Sequence, residues 1–384
     1  MIPVITLHDV KSGNSYEVKE GVTLQQVCEQ YCQHDDMPIA AALYNNECVG
    51  LQTKVGQSGD VDWLPINTME GNQCIIRTAI FLLVRAVRDL YPDGKVLVKH
   101  ALRKALYCEL EIGHTVTVHD VDIIKKRMHE IVEQDEPISQ VIASAETAME
   151  MCRNRHMMRE AELLRHVDVT HIMAYQCGQT FDYYMGPLLP SMGYVTCFNL
   201  RSYAPGVILE TPTVDNPNEL PEYKEIPKMA RLFLDAEEWG RIVRCEYVYD
   251  LNHYIENGTI QDMVDMAEAL QEKKLGQLAD YIVSRRPKVK VVLIAGPSSA
   301  GKTTFCKRLT TQLRVNGLRP IGISLDDYFY NREDTPKNPD GSYDFESLRA
   351  IDVPLFHQQI EDLTQGTEVN LARIDFVTGH RQYD

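Results

Sequence analysis

One segment of the sequence has the residue types and spacing of a phosphate-binding loop. It fits the pattern GxxxxGK followed by Ser or Thr at every fixed position, and its residues are Gly296, Pro297, Ser298, Ser299, Ala300, Gly301, Lys302 and Thr303. Glycines at these positions let successive backbone N–H groups face a phosphate. Lys302 would reach the β and γ phosphates of a nucleotide, and Thr303 would hold Mg²⁺. The sequence therefore predicts an ATP and magnesium site, in which we include the next residue, Thr304.

Such a loop needs a strand before it and a helix after it. Residues 289–295 are apolar and rich in β-branched side chains, which is typical of a strand buried on both faces of a parallel sheet. Residues 303–313 predict a helix whose N-terminal dipole favours the same anion. A glycine-rich turn that binds nothing is the alternative, and this strand–loop–helix context argues against it.

Two carboxylates follow a second predicted strand, residues 321–325. The carboxyl ends of parallel strands meet at one edge of a sheet, where the substrate crevice forms. Asp326 is therefore predicted to accept the proton of an attacking hydroxyl, or to reach the metal through a water molecule. An acidic turn or a helix cap is the alternative, and Asp327 fits it better than Asp326.

Five ordered segments resemble the uridine kinase and phosphoribulokinase group of P-loop kinases. They are the loop at 296–303, ISLDDYF at 323–329, YDFE at 343–346, AIDVPLF at 350–356 and RIDFVTGHR at 373–381. The resemblance implies an α/β P-loop kinase domain with a parallel sheet, present in part over residues 287–384, that uses ATP and Mg²⁺. It implies catalytic roles for Asp326 and Lys302. It also implies an acceptor site lined by Phe345, Glu346, Phe376 and Arg381.

The sequence departs from that family in three ways, one of which is that Glu346 stands where the family usually has aspartate. The uridine kinase pattern has Tyr-Asp-Phe with a histidine three residues later, but Ile374 and Gly379 occupy the tyrosine and histidine positions here, which weakens pyrimidine recognition. The family also continues with a strand ending in an acidic residue and a lid that carries arginines, whereas this chain ends at Asp384. We therefore expect a C-terminally truncated chain with poor activity, since electrostatic stabilisation is most of what a kinase supplies.

The first half predicts two α+β domains. Strands at 4–7 and 15–18, a helix at 23–31 capped by Thr23, and a hairpin of 41–44 with 48–51 suggest a β-grasp domain over residues 1–63. A helix at 74–90, strands at 105–111 and 115–118, and helices at 121–133 and 144–164 follow. Four prolines between 211 and 227 predict a linker, and residues 250–285 predict a helical connector.

Residues 1–63 resemble the TGS domain, and residues 64–225 resemble the second, editing-type domain of threonyl-tRNA synthetase. The matching segments are AVRDLYPD at 86–93, KRM at 126–128, YQCG at 175–178 and GP at 186–187. In that family a HxxxH helix, a cysteine and a histidine form a metal-dependent or deacylating pocket. Those positions are Arg77, Phe81, Tyr184 and Leu188 here. None can do the original job, since Phe81 and Leu188 have no donor atoms and Arg77 stays protonated. The resemblance thus implies a retained scaffold, without zinc or editing, that senses a ligand or RNA or only packs.

Composition excludes several classes of protein. The 384 residues include 39 Lys and Arg against 55 Asp and Glu, a net charge of -16 that disfavours non-specific nucleic-acid binding. No apolar run approaches the roughly 18 residues that a membrane helix needs, and the N-terminus lacks a signal pattern, so a cytoplasmic protein is predicted. Ten cysteines without a CxxC pair predict reduced thiols.

Together these patterns predict four domains, at residues 1–63, 64–225, 226–286 and 287–384. The leading function is ATP-dependent phosphoryl transfer to a hydroxyl of a small molecule, with a nucleoside as acceptor. One alternative is a nucleotide-switched RNA- or ribosome-associated regulator that uses residues 1–225. A further alternative is that the first half is a scaffold for homo-oligomerisation.

Overall fold

The described residues between 3 and 65 form a five-stranded mixed sheet and one helix. The structure is a computed structural model that describes residues 3–32, 37–154, 157–168, 171–375 and 377–383. The strands are β1 (Val4–Asp9), β2 (Ser15–Lys19), β3 (Ile39–Tyr44), β4 (Glu47–Gly50) and β5 (Gly59–Pro65). Their order is β2-β1-β5-β3-β4, with β1 and β5 parallel and the other pairs antiparallel. Two strands, the helix and the hairpin follow one another in the order that the sequence predicts, and the assignment of these residues to the β-grasp fold stays a prediction.

The helix of this sheet begins where its capping residues place it. Thr23 accepts a hydrogen bond from the Gln26 N–H at 3.3 Å, and the Gln26 side chain accepts one from the Thr23 N–H at 3.0 Å, which starts α1 (Leu24–Tyr31). Leu24 and Val27 pack into the core beneath the sheet. The β3–β4 turn places Asn45 and Asn46 at φ values of 52° and 67°, as a tight hairpin requires.

A 22-residue helix, α2 (Met69–Leu90), forms the centre of the next core. It starts five residues before the predicted position because Thr68 caps it, accepting from the Gly71 N–H at 3.1 Å. Its buried face packs against β3 and against α3 (Val118–Gln134).

Two antiparallel sheets complete this part of the chain. Their strands are β6 (Lys95–Leu102), β7 (Ala105–Glu111), β8 (Ser139–Ser144), β9 (His171–Cys177), β10 (Thr180–Tyr183), β11 (Asn199–Tyr203) and β12 (Gly206–Glu210). One sheet has the order β11-β12-β7-β6 and the other β10-β9-β8.

Two predicted elements of this region are wrong. Residues 115–118 do not form a strand, because Thr117 and Asp120 form a capping box that starts α3. Residues 144–164 form two helices, α4 (Ala145–Asn154) and α5 (Met158–Arg165), rather than one, because the backbone of Met157 is not helical (φ -87°, ψ 65°).

The segment after β12 is irregular, and three helices follow it. Residues 214–226 contain no helix or strand. The helices α6 (Pro227–Ile242), α7 (Val248–Glu256) and α8 (Ile260–Ser284) follow. The chain divides into two units, residues 1–257 and 258–384. The finer division into four domains remains a prediction.

The second unit contains α8, α9 (Lys302–Val315), α10 (Val353–Gln365) and a hairpin of β13 (Ala372–Asp375) with β14 (His380–Tyr383). Leu275 and Ala279 of α8 pack against Leu309 and Leu313 of α9. Within the described residues, no helix is both long and apolar enough to cross a membrane.

The predicted parallel sheet is not formed by the described part of the second unit. Residues 289–295 and 321–325 lie in no strand, and Leu293 and Ile321 are 82% and 62% exposed. A central parallel strand needs backbone partners on both sides and apolar cover on both faces. Among the described residues, β13 and β14 pair only with each other, so these two runs have no ladder to join.

Candidate functional site

The loop at 296–303 has a backbone suited to binding an anion. Ser299 and Gly301 have φ values of 59° and 76°, in the left-handed region. Beyond the residues next to it in the chain, no described atom lies within 4 Å of the position that a Cβ on Gly301 would take, so the loop is open there. Helix α9 begins at Lys302, and no side chain caps it. The N–H groups of its first turn therefore point to where a phosphate would bind.

The Lys302 ammonium is held over the loop by backbone groups. Its Nζ donates to the carbonyl oxygens of Gly296 and Pro297, both at 2.9 Å, and no carboxylate among the described residues pairs with it. Thr303 and Thr304 are exposed. A lysine whose charge is not neutralised, an open loop and an exposed threonine hydroxyl fit the phosphates and the Mg²⁺ that this loop type implies.

The two neighbouring aspartates differ in their surroundings. They lie in a 3₁₀ helix, Leu325–Tyr328, anchored by the buried Tyr328, whose hydroxyl donates to Gln359 at 2.7 Å. Asp327 accepts a hydrogen bond from the Ile374 N–H at 3.3 Å. The Asp326 side chain is exposed, and its carboxylate has no hydrogen bond or ion pair to a described residue. Asp327 thus ties the 3₁₀ helix to β13, and Asp326 has its oxygens available.

Phe345 belongs to a group of aromatic rings next to that helix. It is 47% exposed, and its ring centroid lies 6.1 Å from Phe329 and 5.9 Å from Tyr343. Lys337 Nζ lies 5.2 Å from the Tyr343 ring centroid. Glu346 is exposed, and Phe376 lies outside the described residues. The contacts of Phe345 with Phe329 and Tyr343 were not deduced from the sequence, because only their position in the fold brings them together.

The Arg381 guanidinium makes hydrogen bonds to three other residues of the second unit. Its Nη1 pairs with Asp352 at 2.9 Å, and its Nη2 donates to the carbonyl oxygens of Tyr328 and Phe329 at 2.9 and 2.8 Å. Its Nε is buried without a partner among the described residues. The expected position of Arg381 in the acceptor site is therefore not supported by its contacts, which are structural.

The structure brings some of these residues together. The Phe329 N–H donates to the carbonyl oxygen of Asp326 at 3.3 Å, and Phe329 also contacts Arg381 and Phe345, so these residues surround one turn of chain. No hydrogen bond or ion pair between described residues joins this group to the loop at 296–303. Cys306 of α9 lies alongside Gly322, its Sγ 3.8 Å from where a Cβ would be.

Arg77, Phe81, Tyr184 and Leu188 lie close together in the first unit. They occupy the positions at which threonyl-tRNA synthetases have the residues of the metal-dependent or deacylating pocket. The Phe81 and Tyr184 rings pack edge to face with centroids 5.8 Å apart, and Leu188 is fully buried. Arg77 donates to the Pro187 carbonyl oxygen at 3.2 Å, and its guanidinium lies against Gly186. Burial raises the pKa of Tyr184 well above its usual value. The cluster has no imidazole or thiol among these four side chains.

Comparisons with known proteins match two different families to the two parts of the chain. Residues 291–383 match the model of the Phosphoribulokinase / Uridine kinase family. The chain is also similar to threonine–tRNA ligases from Caldanaerobacter subterraneus subsp. tengcongensis (26% identical over 202 residues), Syntrophomonas wolfei (27% over 196) and Syntrophotalea carbinolica (31% over 169). These matches cover 52%, 51% and 43% of this chain. The chain spans 31%, 31% and 26% of the relatives' own lengths. A kinase-family segment therefore follows a half that is homologous to threonyl-tRNA synthetase.

Proposed function

We propose that this protein transfers the terminal phosphoryl group of ATP to a hydroxyl of a small molecule, and that the acceptor is a nucleoside. One observation carries the proposal. Lys302 begins an uncapped helix directly after the left-handed Gly301, within the segment that matches the kinase family. A loop of this kind presents backbone N–H groups and one ammonium to the phosphates of a nucleotide.

Lys302 and Thr303 have binding roles in this proposal, and Asp326 has the role of proton acceptor. Lys302 exchanges its two carbonyl partners for phosphate oxygens, a stronger pairing because both partners are charged. Thr303 would hold Mg²⁺, which neutralises phosphate charge when it is bound. Asp326 takes the proton of the acceptor hydroxyl as that oxygen bonds to the γ-phosphorus and the bond to the ADP oxygen breaks.

The acceptor is assigned from the aromatic group around Phe345. A half-exposed ring supported by Phe329 and Tyr343 offers a surface on which a planar base can stack. The exposed carboxylate of Glu346 can accept a hydrogen bond from a sugar hydroxyl. Ile374 and Gly379 carry no side-chain donor or acceptor, so the proposal extends to nucleosides in general and not to uridine alone.

A product screen tests the proposal. The protein is incubated with Mg-ATP and separate nucleosides, pentose phosphates and other small alcohols, and the products are identified by mass. A phosphorylated nucleoside that forms with the parent and not with the Asp326→Asn variant supports both the reaction and the acceptor. A phosphorylated product from another class would overturn the acceptor only. No product under conditions in which ATP binds would overturn the kinase assignment.

A second candidate is a regulator that binds RNA and responds to nucleotide. The similarity of the first half to threonine–tRNA ligases favours it, and the net charge of -16 opposes it. Fluorescence anisotropy with labelled tRNA, with and without Mg-ATP, tests this function. Binding that changes with the nucleotide supports it, and absence of binding at low salt contradicts it.

A further inference from the structure

A groove in the first unit has the properties of a ligand site and shares no residue with the Arg77, Phe81, Tyr184 and Leu188 positions. Its volume is about 630 Å³, within the range of sites that hold small molecules. One wall is the tight turn between β6 and β7, residues 103–104, and the other is residues 221–224 of the proline-rich segment. The groove therefore lies between a rigid hairpin and an irregular segment.

The cations of the turn have no strong partners. Arg103 is exposed, with φ of 56°, and makes no hydrogen bond or ion pair with a described residue. Lys104 has only Asp215, at 4.0 Å, and the Lys104 and Asp215 side chains are 58% and 90% exposed. A pair so exposed contributes little. The turn therefore presents two positive charges to the groove on a protein that is acidic overall.

Each of the two carboxylates that line the groove lies beside a cation. Glu210 is 4% exposed and accepts hydrogen bonds from Asn199 and from Arg201, the latter at 3.3 Å. Glu222 pairs with Lys224 at 3.0 Å. The lining has three cationic side chains, Arg103, Lys104 and Lys224, against the two carboxylates, so its net charge is positive and favours an anionic ligand.

The rest of the lining is apolar and includes one aromatic ring. Leu102, Ala105 and Pro221 line the groove together with Tyr223. The Arg201 guanidinium lies 4.7 Å from the centroid of the Tyr223 ring, a cation–π contact that supports the ring. A supported aromatic ring binds a planar group at a low entropic cost.

From this combination we propose that the groove binds a mononucleotide, with its phosphate at Arg103 and Lys104 and its base on the apolar side against Tyr223. A phosphate alone would leave most of the volume unfilled, and an uncharged planar ligand would leave the two cations unpaired. The site is independent of phosphoryl transfer, because neither the loop at 296–303 nor Asp326 takes part in it.

Calorimetric titration of the full chain with AMP, UMP and inorganic phosphate, without ATP, tests the site. Monophosphates lack the β and γ phosphates that Lys302 would reach. A nucleoside monophosphate is also the product of the proposed transfer, so the substitutions at Arg103 and Lys104 are what assign binding to the groove. We expect one mononucleotide to bind and its dissociation constant to rise about tenfold or more in Arg103→Ala/Lys104→Ala. Tyr223→Leu keeps an apolar side chain but removes the ring, so it should weaken binding of the mononucleotide and not of phosphate.

The matched control is Lys19→Ala/Lys54→Ala, which removes the same net charge from two exposed lysines of the first unit. Unchanged binding by this control supports the site, and an equal loss would mean a general charge effect and overturn it. Absence of mononucleotide binding at about 1 mM also overturns it, as does binding of single-stranded RNA without binding of any mononucleotide. None of these readings involves turnover, so they are separate from a failure of the kinase proposal.

Discussion

Arg381 Nη1 lies 2.9 Å from Oδ2 of Asp352, and the Arg381 side chain is 10% exposed. The other oxygen of Asp352 accepts the Leu355 N–H at 3.1 Å and so caps α10. One carboxylate therefore joins the start of α10 to β14. The same guanidinium holds the carbonyl oxygens that follow the 3₁₀ helix of Asp326.

Arg381→Ala should destabilise the second unit. It leaves the largely buried Asp352 carboxylate unpaired and removes the donors to two carbonyl oxygens, a change that costs about 3–5 kcal/mol when a buried pair is broken. The free energy of unfolding by urea measures the effect, with the exposed Arg349→Ala as control. Unchanged stability together with a raised KM for the acceptor would contradict the structural role and support the expected role of Arg381 in acceptor binding.

Lys302→Ala should lower phosphoryl transfer about a hundredfold or more, because it removes the one ammonium that the loop offers to developing negative charge. Lys302 is exposed, and among the described residues its ammonium donates only to carbonyl oxygens of the loop, so the fold should be unaffected. Lys307→Ala, an exposed lysine of the same helix, is the control. The measurement is kcat with Mg-ATP, and equal turnover in the two variants would contradict the role of Lys302.

Substitutions of the two adjacent aspartates should have different effects, one on turnover and the other on the free energy of unfolding. Asp326→Asn is expected to lower kcat by about 10²–10⁴ without a change in unfolding, because only proton transfer is lost. Asp327→Ala should lower the free energy of unfolding by about 1 kcal/mol, because the Ile374 N–H loses its acceptor. Both variants are assayed for turnover and for urea unfolding. If Asp326→Asn lowered stability and Asp327→Ala lowered turnover, the roles assigned to the two aspartates would have to be exchanged.

Two tyrosines of the first unit provide a matched pair. The Tyr184 hydroxyl is buried and has no hydrogen-bond partner among the described residues, whereas the Tyr175 hydroxyl donates to the Gly186 carbonyl oxygen at 3.3 Å. Tyr184→Phe should leave the free energy of unfolding unchanged or raise it by about 1 kcal/mol, and Tyr175→Phe should lower it by about as much. A loss of stability in Tyr184→Phe would mean that its hydroxyl has a partner after all.

Asp182 should make the first unit less stable as the pH rises. Burial raises the pKa of its carboxyl from 3.8 to about 6, although the nearby Arg88 guanidinium opposes the shift. The folded state therefore binds the proton more tightly than the unfolded state. The contribution of Asp182 to the free energy of unfolding is therefore fully present below about pH 4 and is lost between about pH 4 and pH 6.

Urea midpoints of the parent and Asp182→Asn, measured at pH 4 and pH 7, test this assignment. The variant cannot ionise at this position, so its advantage over the parent should be larger at pH 7. The same difference at both pH values would show that Asp182 has an ordinary pKa.

Sequence reasoning succeeded where the determinants were local. Thr23 and Gln26 form the capping box that starts α1, and Asn45 and Asn46 form the predicted turn. It failed at residues 115–118, where alternating Thr and Val suggested a strand, although Asp120, three residues after Thr117, makes the same kind of box. A cap outweighs β-propensity there because it satisfies backbone N–H groups that a strand without a partner would leave unpaired.

The candidate site was predictable only in part, for a different reason. The loop at 296–303 is a continuous pattern, so its residues could be named from the sequence alone. The structural role of Arg381 depends on Asp352 and on carbonyl oxygens of residues 328–329, which only the fold brings to it. The meeting of Phe81 with Tyr184 came from a family resemblance, because no local pattern connects residues so far apart in sequence.

The run at 289–295 has a consequence for handling the protein. Six of its seven residues are apolar, Val291, Val292 and Leu293 are exposed, and no described strand pairs with it. Lys290 is its only charge, and its Nζ donates to the Thr364 carbonyl oxygen at 2.8 Å. Short β-prone segments of this kind pair with copies of themselves and form cross-β aggregates. Aggregation through this segment, rather than loss of either core, should therefore limit the concentration at which the protein can be kept.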